Sequence, residues 1–166
     1  QGNHGTRTAV TPVVGKLGQA MKFNGTTSYI NVGDIATYDF SPLTVPHSFF
    51  AWIKTTVNAN ALVISKSKGS VQYTGWDLRM TTDGDFGCLL VSVVAKQYSK
   101  YAYTSLNDNR WHLIGCTYDG TGFAGLKLYA DGVEKTVLST QVNTAVTSDP
   151  IANDIKAAIG VRDPDT

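Results

Sequence analysis

The sequence predicts an all-β fold of short antiparallel strands, a sandwich or a barrel, and three observations lead there. No stretch longer than a few residues keeps a helical apolar period together with good helix formers. Short runs rich in β-branched and aromatic residues recur about every ten residues, separated by Gly, Asn and Asp. Asp131-Gly132 lies directly between two such runs, Leu126 to Ala130 and Val133 to Leu138. A type I′ hairpin turn needs positive φ at both central residues, and Asp-Gly tolerates that.

Taken in order, residues 1–12 are polar and Gly-rich, with no strand periodicity before Thr8-Ala9-Val10. Ala20, Lys22 and Asn24 then alternate with Met21 and Phe23, which makes one strand face apolar. Asn24-Gly25 reads as a turn, and Asn24-Gly25-Thr26 is also a glycosylation sequon. Tyr29 to Val32 alternates again before Gly33-Asp34. In Ser48 to Lys54, Phe50, Trp52 and Lys54 share one face and Phe49, Ala51 and Ile53 the other; both faces are largely apolar, the pattern of a central sandwich strand. Leu62 to Lys66 is the next strand, and Gly75 to Met80 with Asp85 to Val91 is a hairpin. Tyr98 to Ser105 is a polar, aromatic strand, and Trp111 to Tyr118 is a strand ended by Asp119-Gly120. Thr140 to Asp154 is loop-like, and Ala157 to Gly160 closes the series with a short strand.

These motifs carry a family resemblance. Trp111-His112, Thr117-Tyr118-Asp119-Gly120 and Leu128-Tyr129-Ala130-Asp131-Gly132 resemble the core motif of laminin-G-like, concanavalin-A-like domains. Gly15 to Ile30, Ser48 to Lys54, Leu62 to Lys66, Asn3-His4-Gly5-Thr6 and Ala157 to Gly160 resemble further family segments. The resemblance implies a two-sheet antiparallel jelly-roll sandwich, with residues 1–166 as a single laminin-G-like domain. It also implies a first and a last strand beyond residues 3–160 that this sequence lacks. Unfamiliar pairing of the ends, a fragment of a longer protein, or a strand supplied by a neighbouring chain would each account for that. Calcium is common near the rim of these sandwiches. The resemblance implies backbone carbonyl ligands from the Asn24-Gly25 turn, with Asp34, or Asp163 and Asp165, as substitutes for aspartates of the missing segments. No cofactor is otherwise expected.

Composition narrows the function. Charged residues are 16% of the chain, below the usual ~25%, and the net charge is +1. Low charge with many Thr, Ser, Gly and Tyr suits an extracellular, cell-surface or virion protein. No basic cluster marks a nucleic-acid surface, and no apolar run approaches the ~20 residues of a membrane helix. Cys88 and Cys116 read either as two small buried hydrophobes or as a cross-strand disulfide. Glycoside hydrolysis needs two placed carboxylates, and the chain has a single glutamate, Glu134. His4, His47 and His112 have no metal spacing.

A non-catalytic carbohydrate-binding or adhesion module is therefore the leading expectation, lectin-like and part of a larger extracellular, cell-surface or phage protein. Its partner would be a glycan or cell-surface polysaccharide. The alternative is a structural subunit, a virion decoration protein or filament component, whose partners are other protein chains; a hydrolase is a distant third. Pyranose faces stack on flat apolar rings while sugar hydroxyls need polar partners. The candidate contacts are Tyr73, Trp76, Tyr98, Tyr101 and Tyr103 with Asp77, and then Arg79 and Asn107. The competing reading packs these aromatics in the core. Trp52 and Trp111 are assigned to the core.

Overall fold

A computed structural model describes residues 4–40, 44–68, 74–92, 97–102, 104–137, 139–143, 151–162 and 164–165. Among the described residues fourteen strands follow one another: β1 Thr6–Thr8, β2 Thr11–Val14, β3 Gln19–Lys22, β4 Tyr29–Gly33, β5 His47–Ile53, β6 Ala61–Ser67 and β7 Gly75–Met80. Then come β8 Phe86–Val91, β9 Gln97–Ala102, β10 His112–Tyr118, β11 Leu126–Ala130, β12 Val133–Glu134, β13 Ser139–Asn143 and β14 Ala157–Ile159. They form an eight-stranded sheet in the order β1-β4-β14-β6-β7-β8-β9-β13 and a four-stranded sheet in the order β12-β11-β10-β5. A separate hairpin pairs β2 with β3. All pairings are antiparallel. The architecture is the expected all-β sandwich of the jelly-roll class.

The core lies between the two sheets. Trp76, Leu78 and Met80 from β7 and Phe86, Cys88 and Leu90 from β8 meet Phe49, Ile114, Cys116, Tyr118, Leu126 and Leu128 from the small sheet. Period-2 alternation produces this face, since every second residue of β7 and β8 points inward. The Asp131-Gly132 turn forms as expected, with φ of 52° and 81°. Cys88 and Cys116 are free thiols, buried and hydrogen-bonded to each other from opposite sheets. The structure thus shows the buried-thiol alternative rather than a disulfide.

Several expectations need correction. Thr6–Thr8 is a strand on β4 despite its polar sequence, because backbone pairing with Tyr29–Asn31 needs no apolar side chain. Thr140 to Asn143, the start of the expected loop, belongs to β13 and pairs with β9. The strand after Asp131-Gly132 is only Val133–Glu134. The largest correction concerns β5. Among the described residues it is an edge strand, paired on one side to β10. Its inner face packs Phe49 into the core, but Phe50 and Trp52 lie on the outer face, 48% and 39% exposed. Trp111 is half-buried. Two apolar faces in the sequence thus mark one core face and one outer face here. No helix is long and apolar enough to cross a membrane among the described residues.

Candidate functional site

The outer face of the eight-stranded sheet carries the polar residues of its central strands. Arg79, Gly87 and Tyr101 are register partners across β7, β8 and β9. Ser65, Asp77, Leu89 and Ser99 form the neighbouring row. These residues alternate with the inward Trp76, Leu78, Cys88 and Leu90, so strand periodicity alone gathers them on one surface.

Gly87 has a steric reason. A Cβ there would overlap the Tyr101 ring, so the ring lies across the glycine. Burial pushes the Tyr101 hydroxyl above the ordinary tyrosine range. Beside it, Asp77 is 1% exposed. Arg79 donates to it from both Nε, at 2.7 Å, and Nη2. Arg162 donates through Nη2 at 3.3 Å. Arg162 arrives on the C-terminal segment, which is anchored where Ser65 Oγ donates to the carbonyls of Val161 (2.8 Å) and Arg162 (3.2 Å). The result is a flat aromatic ring next to two guanidinium groups that converge on one carboxylate. The ring and the partly exposed guanidinium groups offer a stacking plane and forked N–H donors, while the Asp77 side chain, 2% exposed, holds the two arginines in place.

The expected contact residues divide. Asp77, Arg79 and Tyr101 come together on this face. Trp76 does not join them, and its expected role at the surface is corrected. It is 3% exposed, its ring stacks on Phe49 at 4.2 Å between centroids, and its Nε1 donates to the Tyr38 carbonyl at 2.6 Å. The one-residue offset from Asp77 puts it on the opposite face, inside the sandwich. Asn107 packs against Gly84, in the loop that precedes β8. Tyr98 is placed in β9 opposite Leu90. Tyr73 and Tyr103 lie outside the described residues. Sequence reasoning missed Ser65 and Arg162. Ser65 sits in an otherwise apolar run, and Arg162 follows a strand without any pattern of its own.

Two other polar clusters are built into the fold. His112 Nδ1 lies 2.7 Å from Asp131 Oδ2, and its Nε2 lies 3.0 Å from Asp108 Oδ1. Burial alone would lower the His112 pKa, but the two carboxylate hydrogen bonds outweigh it and raise it. The imidazole thus bridges the loop before β10 to the β11–β12 turn. At the other end, the Lys66 ammonium contacts Asp34 and Asp39 at 2.8 and 2.9 Å.

Two of the aspartates expected for calcium are held by lysines. Asp34 is bound to Lys66, and Asp165 is paired with Lys156 at 2.9 Å. In the Asn24-Gly25 turn the Asn24 Oδ1 accepts the backbone N–H groups of Thr26, Thr27 and Ser28 at 2.9–3.0 Å, which closes the turn by itself. Asp163 lies outside the described residues. Among the described residues no group of three or more His, Cys, Asp or Glu is placed to hold a metal.

No curated protein matches the sequence. The structure is similar to the binding domain of botulinum neurotoxin serotype G, with TM-score 0.64, 19% identity, 95% of this chain and 42% of that one. It is similar to the CBM40 of the Ruminococcus gnavus IT-sialidase bound to alpha2,3 sialyllactose, with TM-score 0.53, 17% identity, 69% of this chain and 63% of that one. It is also similar to domains LG4-5 of the mouse laminin alpha1 chain, with TM-score 0.53, 16% identity, 76% of this chain and 31% of that one. The matched regions thus span less than two thirds of each of these chains. At such identities the likeness is one of fold. The sequence of residues 24–165 matches the family model described as the Concanavalin A-like lectin/glucanases superfamily. The chain belongs to that superfamily, in its laminin-G-like branch.

Proposed function

We propose that the chain is a non-catalytic carbohydrate-binding module of a larger extracellular, cell-surface or phage protein. The observation that carries this reading is the Tyr101 ring lying across Gly87, one strand away from Arg79 and next to Asp77 and Arg162. A half-buried ring held flat against a glycine is already ordered, so stacking a sugar on it costs little side-chain entropy. The guanidinium groups supply donors for hydroxyls at the ring's margin, and the buried Asp77 fixes their orientation. The sialyllactose bound by the CBM40 neighbour supports a glycan as the ligand class. Tyr73, Tyr98 and Tyr103 remain in the proposed contact set on their sequence positions; Trp76 does not.

Glycan-array binding followed by calorimetry on the best ligand tests this. Tyr101→Ala should weaken binding about tenfold, the equivalent of about 1.4 kcal/mol, while Tyr101→Phe keeps the ring and stays within about threefold. Binding that survives Tyr101→Ala unchanged, or no glycan binding at all, refutes the reading.

A second reading, a structural subunit acting through protein contacts, is favoured by β5. Its edge is unpaired among the described residues and its outer face exposes Phe50 and Trp52. Uncharged edge strands with apolar faces readily add further strands. Light scattering that shows stable multimers, dissolved by Trp52→Ser and Phe50→Ser, would select this reading instead.

A further inference from the structure

Lys66 stands in β6 with its side chain 0% exposed. Its ammonium is surrounded by oxygens from two other parts of the chain. Asp34 Oδ1 lies at 2.8 Å, Asp39 Oδ1 at 2.9 Å, Asn153 O at 2.9 Å, Ile155 O at 2.8 Å and Asn153 Oδ1 at 3.4 Å. An ammonium has three N–H donors, fewer than the oxygens around it. The shortfall is visible. Asp39 Oδ1 is buried in ionic contact with the ammonium but receives no hydrogen bond. The charges do not cancel either, since two carboxylates face one ammonium.

Two monodentate carboxylates, two backbone carbonyls and a side-chain amide oxygen are the donor set of a hard divalent cation. Calcium in particular takes 6–8 such oxygens without strict directionality. We propose that these oxygens form a cation site whose resident cation is the Lys66 ammonium. The lysine fastens Asp34 and Asp39, after β4, and residues 153–155, before β14, onto β6. In this chain a covalently attached cation does the work of a free ion. Asn153 Nδ2 closes the cage from behind, donating to the carbonyls of Thr74 (3.1 Å) and Lys66 (3.3 Å). Gly75 is part of the design, because a Cβ there would overlap both the Lys66 carbonyl and Asn153.

The test compares the intact chain with Lys66→Ala and Lys66→Met in calcium, in magnesium and in EDTA, by thermal melting and calorimetry. The wild-type midpoint should be the same in all three. Lys66→Ala should melt lower in EDTA, recover in calcium in a saturable way, and recover less in magnesium, which demands stricter geometry. Adding Asp39→Asn to Lys66→Ala should weaken calcium binding at least about tenfold, the equivalent of about 1.4 kcal/mol. Lys66→Met fills the space without charge and should stay low and insensitive to calcium. If Lys66→Ala does not fold in EDTA, refolding from denaturant in calcium replaces the melt. Recovery in calcium alone supports the proposal, and failure in every condition overturns it. A calcium-dependent wild-type midpoint lost on Asp34→Asn, or a Lys66→Ala protein indifferent to calcium, also overturns it.

Discussion

Trp76 separates a core residue from a ligand contact, and its replacement can be worked through from the structure. Its indole is 3% exposed, stacked on Phe49 at an interplanar angle of 14°, and donates one hydrogen bond to Tyr38. Trp76→Phe keeps an aromatic ring but removes that donor, a loss of about 1 kcal/mol. It also removes the second ring and leaves a cavity of roughly 40 Å³, which at about 24 cal/mol per Å³ costs about another 1 kcal/mol. The sum is about 2 kcal/mol. That is a large part of the roughly 5–15 kcal/mol that holds a domain together. For a chain of this length it lowers the melting midpoint by about 4–8 °C. Trp76→Ala empties the site and should cost about 3–5 kcal/mol. Urea unfolding followed by circular dichroism reads both, with an unchanged slope showing that the denatured state is the same. A Trp76→Phe protein as stable as wild type but unable to bind glycan would refute the core assignment.

Other outcomes follow from the same contacts. His112 has a raised folded-state pKa, so its contribution to stability is full below the unfolded value of about 6.5 and is lost as pH rises through the folded pKa. Unfolding midpoints should therefore fall from about pH 6 towards pH 9, and His112→Gln should flatten the slope; Asp108, Asp131, Arg110 and Lys135 are the charged groups around this cluster. Equal slopes in the two proteins would show that the bridge is inert. Gly75 has φ of 122° and no room for a Cβ, so Gly75→Ala should destabilise by at least about 2 kcal/mol. Burial pushes the Cys88 thiol well above the usual range, with Cys116 hydrogen-bonded beside it. Both thiols should ignore a water-soluble thiol reagent until the protein unfolds, and fast labelling of the native protein would contradict their placement.

Much of the fold was legible because its signals are local. Asp131-Gly132 announces a hairpin since few residue pairs accept two positive φ values. The alternation in Gly75–Met80 marks a strand because side chains must point to opposite faces. What was misread depended on partners far away in the chain. Thr6–Thr8 and Ser139–Asn143 carry no apolar period, and they are strands because Tyr29–Asn31 and Gln97–Tyr101 offer them free backbone groups. Arg162 joins Asp77 across 85 positions of sequence, a separation that no spacing rule reaches.

The sequence by itself determined the strand periods, the turns and the family, since each is a property of a few neighbouring residues. It also determined which residues share a strand face, and so set Asp77 and Arg79 apart from Trp76. Only the tertiary structure decided which of those faces is covered. Asp77 and Trp76 are adjacent in sequence, and the second sheet covers the Trp76 side. Phe50 and Phe49 are equally apolar, yet one packs inside and the other lies on the outer face of an edge strand. The physical reason is common to both. Alternation says that a strand has two faces, but burial depends on what is stacked against each, and that is set by the whole chain at once.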